Sequence, residues 1–574
     1  MYTLDKAKKE VIDALFSALP PDSDVSDTDL SRPPQADMGD LSFPCFGLAK
    51  ALKGNPAAIA KDVAAKITPS GLVGEVRAVG PYVNFFFNKK AFATSVLEDV
   101  LGHVNKYGDA PRNGEQALLE YGSVNTHKEV HVGHLLNVSL GLSIGRLMNA
   151  AGTKVVHVKY IGDVGAHVAK WLWYYDKVRR GEVAGRTTLT EHSEMVQFGK
   201  IYTEATLLAE SDEEKYKPEI SAVLKKLEAH DPEWGDLWNR TRESCLTQIN
   251  ALFAELGIHF SRTYLESEVE GPGKELVKEL LAKGIAKEGE KGANIVDLEA
   301  EDLDVFLVLK SDGTALYSTK ELALAGLKFR EYPETSRSLH VVDNRQSLYF
   351  KQFFATLKKL GFDKPMVHVS HDFVTLSEGA MSSRKGNIIT YEDFRDQMKA
   401  MVLEETAKRH ADWDEDKVSK TVWMIAEGAM KFGMLKQDTD RPLTFDMAAA
   451  LSFDGFTGPY VQYAHARLST ILAKAEGETV SVCSAVDDPK EFALLRMVAD
   501  LPQAALIAAR DFRPSLVAQY LFELAQASNE FYRDVPVLSA DPGDRARRLA
   551  VIAAARVALA NGLFLLGIRA PEEM

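Results

Sequence analysis

The chain has 574 residues and a mass of 63.3 kDa, several times a typical domain, so three to four domains are expected. Its 46% hydrophobic and 26% charged composition suits a globular protein with a large core, and the absence of an 18-residue apolar run excludes a spanning helix on that criterion. A formal net charge of -14, from 68 Lys+Arg against 82 Asp+Glu, excludes binding of polyanions through the overall field. Contact with nucleic acid must then rest on local basic patches and shape.

The N-terminus, MYTLDKAKKEVIDAL, reads as a charged amphipathic helix over about residues 6–19. It has no secretory apolar core, so no export signal is visible. Cys45, Cys245 and Cys483 lie too far apart to suggest a disulfide framework or a paired-thiolate zinc site, and a cytoplasmic location is expected. A Pro/Asp/Ser-rich turn region follows at 20–39, then a helix around 49–52 stopped by Gly54-Asn55-Pro56. A second helix starts near Pro56. Residues 75–87 are strand-like on either side of Gly80-Pro81, making 1–90 a small α+β domain.

From Gln116 the pattern changes. A short apolar strand at 117–121, a helix at 135–151 and a strand at 154–160 read as a parallel βαβ unit. Charged helices, for example 221–230 and 241–256, predict a helical insertion over about 171–293 within an α/β, Rossmann-like parallel-sheet domain spanning 115–390. Strand signals return at 305–309, 339–342 and 366–369, as continuations of that sheet. Beyond Tyr391 almost everything is helical, divided into a connecting region at 391–454 and an all-helical C-terminal domain at 455–574. The compositional switch predicts that residues from Gly455 onward can be removed without unfolding the rest.

Two loops carry chemistry. His131-Val132-Gly133-His134 lies between the first strand and its helix, at the carboxyl end of a parallel strand where ligands bind. A helix N-terminus offers free N–H groups and partial positive charge, which suits phosphate. Gly133 lets a flat purine approach the backbone, and the two imidazoles can donate to phosphate oxygens as charge grows. Alone, such a pair is equally a satisfied polar pair or a metal pair. The second loop, Met381-Ser382-Ser383-Arg384-Lys385-Gly386-Asn387, sets two cations among hydroxyls and glycine, as a phosphate clamp does. Alone, it is a solvated basic loop.

Together the two loops resemble the HIGH and KMSKS signatures of class I aminoacyl-tRNA synthetases, and their context resembles the arginyl-tRNA synthetase family. Asn125 and Lys128 precede the two histidines as in that family's extended signature. Residues 160–165 (YIGDVG), 312–321 (DGTALYSTKE), 341–352 (VVDNRQSLYFKQ) and 457–467 (TGPYVQYAHAR) resemble further family motifs in order, and the N-terminal domain resembles the family's additional domain. Departures are Val124 for Pro, Leu136-Asn137 for Arg-Ser, Val164 for Trp, Tyr349 for His, Glu321 for Asp, and Ala380 and Ser383 for the two lysines of KMSKS.

The resemblance implies ATP-dependent ligation of L-arginine to its tRNA through an arginyl-adenylate. It implies ATP with Mg²⁺ held by the nucleotide rather than by a protein metal site, and a monomer that does not bind membranes. His131, Gly133 and His134 would serve ATP, with Lys128, Met381, Ser382, Ser383, Arg384 and Lys385 around its phosphates. Glu120 and Glu321 would pair with the substrate guanidinium, Tyr317 would pack on it, and Asn125 and Gln346 would hold the α-amino and carboxylate ends. Anticodon recognition in the C-terminal domain, with 12 Lys+Arg against 14 Asp+Glu, would rest on stacking, with Tyr460, Tyr463 and Arg467 as candidates.

Overall fold

A three-stranded antiparallel sheet opens the chain, with β1 (Leu41–Pro44), β2 (Val73–Val79) and β3 (Tyr82–Phe87) in the order β1-β3-β2. The helices Thr3–Ala18 and Pro56–Lys66 pack on it. Pro56 sits at the helix start as expected, and the Asn55 side chain accepts from the N–H of Ala57 at 2.9 Å. The structure, a computed structural model, describes residues 1–20, 23, 25–185, 195–377, 389–476, 486 and 488–574.

The central sheet has five parallel strands: β4 (Gln116–Glu120), β5 (Lys154–Ile161), β6 (Arg262–Leu265), β10 (Thr335–Asp343) and β11 (Met366–His371). Their order is β11-β10-β4-β5-β6. The chain winds outward from β4 to β6 and then returns to the other side of β4. The reversal between β4 and β10 opens a crevice at the strands' carboxyl ends, where open α/β sheets bind ligands.

Two sequence expectations are corrected here. The helical excursion ends near residue 256, because β6 returns to the main sheet beside β5 and the helix Glu266–Ala282 packs on the helix Tyr317–Glu331. The strand at 305–309 is not part of the main sheet. It is β9 (Val305–Leu309) of a separate antiparallel sheet with β7 (Ala286–Glu288) and β8 (Asn294–Asp297). Periodicity identifies a strand but carries no information about its partner. A two-stranded parallel pair, β12 (Val374–Leu376) with β13 (Leu443–Phe445), also interrupts the otherwise helical C-terminal half.

The helix Val132–Ala150 is buried on nearly every side, between the sheet and the C-terminal helices. Ser143 Oγ donates to the carbonyl of Leu565 at 2.9 Å, and Arg146 donates to that of Phe564 at 2.6 Å. The C-terminal helices are therefore packed directly on the sheet domain, which argues against separability at Gly455. The stretches Pro489–Asp511 and Pro542–Leu565 are long and apolar enough by composition to cross a membrane, but their apolar residues are mostly buried against neighbouring helices. An average over a helix passes polar residues that a search for an unbroken run does not.

Candidate active site

His131 is the N-cap of the helix Val132–Ala150. Its Nδ1 accepts from the Gly133 N–H at 3.1 Å, and the Nδ1 of His134 accepts from the His131 N–H at 3.1 Å. Backbone donors thus fix both rings with the proton on Nε2, leaving two N–H donors beyond the helix start. The ring centroids stand 3.8 Å apart. Burial lowers both imidazole pKa values, that of His134 strongly, with His131, His371 and Lys128 adding to the effect. Both rings are therefore neutral donors near pH 7. At Gly133 a Cβ would stand 3.0 Å from the His131 ring, so only glycine leaves this capping geometry undisturbed.

Lys128 lies close to this pair, its ammonium 5.0 Å from the centroid of Tyr202 in the helical excursion. The preceding His127 is fully buried with φ 61°. It hydrogen-bonds Thr241 through Nε2 at 2.8 Å, and its pKa is pushed down to about 3 by burial, with His167 and Arg242 adding to it. The excursion therefore holds the signature loop in place, a role that no local pattern around His127 discloses.

Arg384, Lys385, Met381, Ser382 and Ser383 lie outside the described residues. The flanking chain is well anchored. The Ser377 N–H donates to Phe445 at 3.0 Å, Val132 donates to Ile389 at 3.3 Å, and Tyr391 donates to Val130 at 2.8 Å. Thr390 forms an antiparallel bridge with His131. The first signature loop is thus joined through backbone hydrogen bonds to residues 389–391.

Glu120 ends β4, where the strand register sets it beside His340 of β10. Its carboxylate pairs with the buried ammonium of Lys328, and its Oε1 stands 3.4 Å from His340 Nδ1. Burial would raise its pKa, but Lys328 and His340 hold it well below the ordinary carboxylate range. Glu120, expected to face a substrate guanidinium, pairs here with an internal cation.

Glu321 is different. It is 0% exposed, and among the described residues its carboxylate has no partner other than the Tyr317 hydroxyl one turn before it. Tyr317, Glu321 and Lys328 stand at i, i+4 and i+11 of one helix, hence on one face. Burial, followed by the charge of Glu120, pushes the Glu321 pKa up to about 8. Tyr317, 41% exposed, forms part of the surrounding wall with its ring 5.3 Å from Tyr349 and 6.3 Å from Tyr160. Asn125 pairs through its backbone with Gly162 just beyond β5, and any side chain at 162 would collide with the Asn125 amide. Gln346 is exposed, closing a short 3-10 turn after β10 that is capped by Asp343.

Asn137 ties the crevice together. Its Oδ1 accepts from the Gly122 N–H at 2.7 Å, and its amide donates to the Val341 carbonyl at 2.7 Å and lies 3.1 Å from His371 Nε2. One side chain therefore joins the ends of β4, β10 and β11. Sequence reading found only that the residue was unusual. Among the described residues no three His, Cys, Asp or Glu side chains cluster as metal ligands.

A second cleft, of about 800 Å³, lies between the connecting and C-terminal helices. Tyr463, Arg467, Tyr532, His410 and Trp413 line it. His410 stacks on Trp413 at 3.8 Å, and the Arg467 guanidinium lies 4.7 and 5.1 Å from the Tyr463 and Tyr532 rings. Tyr460 does not line the cleft. It packs on Phe522, and its hydroxyl accepts from Asn529 at 3.2 Å.

A doubly wound parallel sheet with paired histidines at the first helix start defines a class I aminoacyl-tRNA synthetase catalytic domain, and the family model "tRNA synthetases class I (R), catalytic domain" matches residues 96–447. Those for "Arginyl tRNA synthetase N terminal domain" and "DALR anticodon binding domain" match 5–87 and 461–574. The chain is 38% identical over 572 residues to the arginine–tRNA ligase of Bdellovibrio bacteriovorus, covering 96% of each chain. It is 35% identical over 551 residues to that of Clostridioides difficile, covering 94% of this chain and 95% of the relative. The arginyl-tRNA synthetase of Thermus thermophilus superposes with a TM-score of 0.81 at 27% identity, over 99% of this chain and 100% of the other. The chain belongs to the arginyl-tRNA synthetase family.

Proposed function

We propose that the protein activates L-arginine with ATP and transfers it to the 3′-terminal ribose of tRNA(Arg) in the cytoplasm. The observation that carries the arginine assignment is Glu321, a fully buried carboxylate with no ion-pair partner among the described residues, inside a tyrosine wall. Such a group favours a planar cation that can engage both oxygens, and an apolar side chain would leave it unmatched. Glu120 acts behind it, its charge already balanced by Lys328. Asn125 and Gln346 hold the α-amino and carboxylate ends, and Tyr317 covers the aliphatic stem.

The substrate carboxylate attacks the α-phosphorus of ATP, the bond to the bridging oxygen breaks, and pyrophosphate leaves. The neutral Nε2–H donors of His131 and His134 meet the oxygens on which charge grows, and Gly133 underlies the purine. Lys128 stands on the α-phosphate side, while Arg384, Lys385 and the hydroxyls of Ser382 and Ser383, following Met381, engage the outer phosphates. Mg²⁺ enters with ATP. Amino-acid-dependent ATP–pyrophosphate exchange, measured across the amino acids with and without tRNA, tests this reading. Exchange supported only by arginine is expected; exchange with another amino acid overturns it.

His134→Ala is expected to lower the exchange rate by roughly 10²-fold, the loss of one preorganised donor, with a circular-dichroism spectrum like that of the parent. An unchanged rate would reduce the histidine pair to a helix cap.

The aromatic and cationic second cleft supports stacking of splayed-out anticodon bases on Tyr463, with Arg467 beside them. Tyr463→Ala and Arg467→Ala should raise the KM for tRNA by about tenfold or more, with the KM values for ATP and arginine unchanged. Tyr460→Phe, altering a packed residue, should leave the KM for tRNA near its parent value.

A further inference from the structure

Four polar atoms near the carboxyl edge of the sheet are buried and, apart from the Tyr317 hydroxyl beside Glu321, have no hydrogen-bond partner: both carboxylate oxygens of Glu321 and the hydroxyls of Tyr160 and Tyr349. They arrive from three different elements. Tyr160 is on β5, Glu321 is on the helix Tyr317–Glu331, and Tyr349 is on the helix Ser347–Lys359 that follows β10. Tyr317 links them, its ring 6.3 Å from that of Tyr160 and 5.3 Å from that of Tyr349, one turn ahead of Glu321 on its own helix. Among charged groups, Glu321 acts most strongly on all three hydroxyls. Carboxylate and hydroxyls therefore belong to one neighbourhood, grouped about the Tyr317 ring.

Buried polar groups in folded proteins nearly always find partners. Four orphaned acceptors in one place, two of them on an acid, form a complementary surface for a ligand with several N–H donors and a positive charge. A guanidinium has five such donors in a plane. A single carboxylate engages two of them as a fork, so three remain to be matched. An ammonium directs three donors from one point, so it matches a carboxylate edge in one place where the planar guanidinium matches it in two.

We propose that Tyr160 and Tyr349 are specificity-determining residues of the amino-acid site, their hydroxyl oxygens accepting guanidinium N–H groups that the Glu321 carboxylate leaves unmatched. Each hydroxyl keeps its proton, since burial and the neighbouring Glu321 charge both oppose its ionisation. This rests on the reading of Glu321 as the guanidinium partner. It adds two contacts that no charge pattern in the sequence discloses, because a tyrosine in an apolar strand or an aromatic helix reads as core.

The test uses the full-length protein with tRNA present. Tyr160→Phe and Tyr349→Phe each remove one oxygen and retain the ring. Each is expected to raise the arginine KM in ATP–pyrophosphate exchange by about tenfold, with kcat and the KM for ATP within about twofold of the parent. The preference for arginine over lysine should narrow in both. Melting temperatures should hold or rise, since an unpartnered hydroxyl is removed. Glu321→Gln, assayed in parallel, separates the two readings. If it leaves arginine binding intact, the site itself is misassigned. If it abolishes binding while both Phe variants match the parent, the carboxylate reading stands and the tyrosine proposal is overturned. A uniform fall in melting temperature and kcat in the Phe variants, with the arginine KM unmoved, would make the hydroxyls structural and also overturn it.

Discussion

Glu321→Gln is expected to raise the arginine KM by about 2–4 kcal/mol, or roughly 30- to 1000-fold, while the KM for ATP barely moves. The shape is kept and the charge removed, so the guanidinium loses a buried carboxylate that no cation among the described residues engages. The same substitution should stabilise the empty protein. The folded-state pKa of Glu321 lies near 8, above its ordinary value of 4.5, chiefly because of burial and then the adjacent Glu120. Between those pH values the folded protein retains a proton that the unfolded chain releases, so this residue makes folding less favourable as pH rises through the window. The glutamine variant should therefore gain melting temperature over the parent, more at pH 8 than at pH 5. Arginine affinity of the parent should rise with pH over the same range, because the bound cation requires the ionised acid. A pH-independent difference in melting temperature, together with unchanged arginine binding, would return recognition to Glu120.

Glu427→Ala should destabilise the whole protein by about 3–5 kcal/mol, the cost of leaving the buried Lys431 cation without its acid. Glu427 is 2% exposed on the helix Glu415–Leu435. Its Oε1 accepts from Lys431 Nζ at 2.6 Å, and its Oε2 accepts from Arg569 Nε at 2.8 Å. Lys431 also donates to the carbonyls of Leu256 and Gly567, each at 2.8 Å. One buried acid thus joins the end of the helical excursion, the connecting helix and the last turn of the chain. A Glu427→Leu/Lys431→Met double variant should recover part of the loss, since an apolar pair has no orphaned charge. Thermal unfolding of the single and double variants measures the coupling; strict additivity would remove this junction from the stability argument. By the same logic, removing residues 455–574 should yield insoluble protein, because it uncovers apolar surface on the helix Val132–Ala150.

The anticodon side shows where local sequence misleads. Tyr460 and Tyr463 stand three apart at the start of one helix and look interchangeable. Only packing separates them: Phe522 and Asn529 cover the first, while the second faces the cleft beside Arg467. The helix Val132–Ala150 carried a signal that could have been used. It is apolar on nearly all sides, and such a helix is covered on nearly all sides. That pattern already argued against a detachable C-terminal domain.

Much of the molecule is nonetheless local in origin. The parallel βαβ unit, the hairpin about Gly80-Pro81 and the helical C-terminal half follow from apolar period and turn residues, which act over a few positions, whereas the helix expected from residue 135 starts at Val132 because His131 caps it. The signature loops also carry their chemistry in their composition. Tertiary structure decided what those pieces do to one another. It placed β9 outside the main sheet and β6 within it, and it matched Glu120 with Lys328, 208 residues away. It left Glu321 alone among tyrosines and set the excursion against Lys128. The two glutamates look alike in sequence because a side chain's charge is intrinsic, whereas its partner, its burial and hence its pKa are set by residues that only folding brings near.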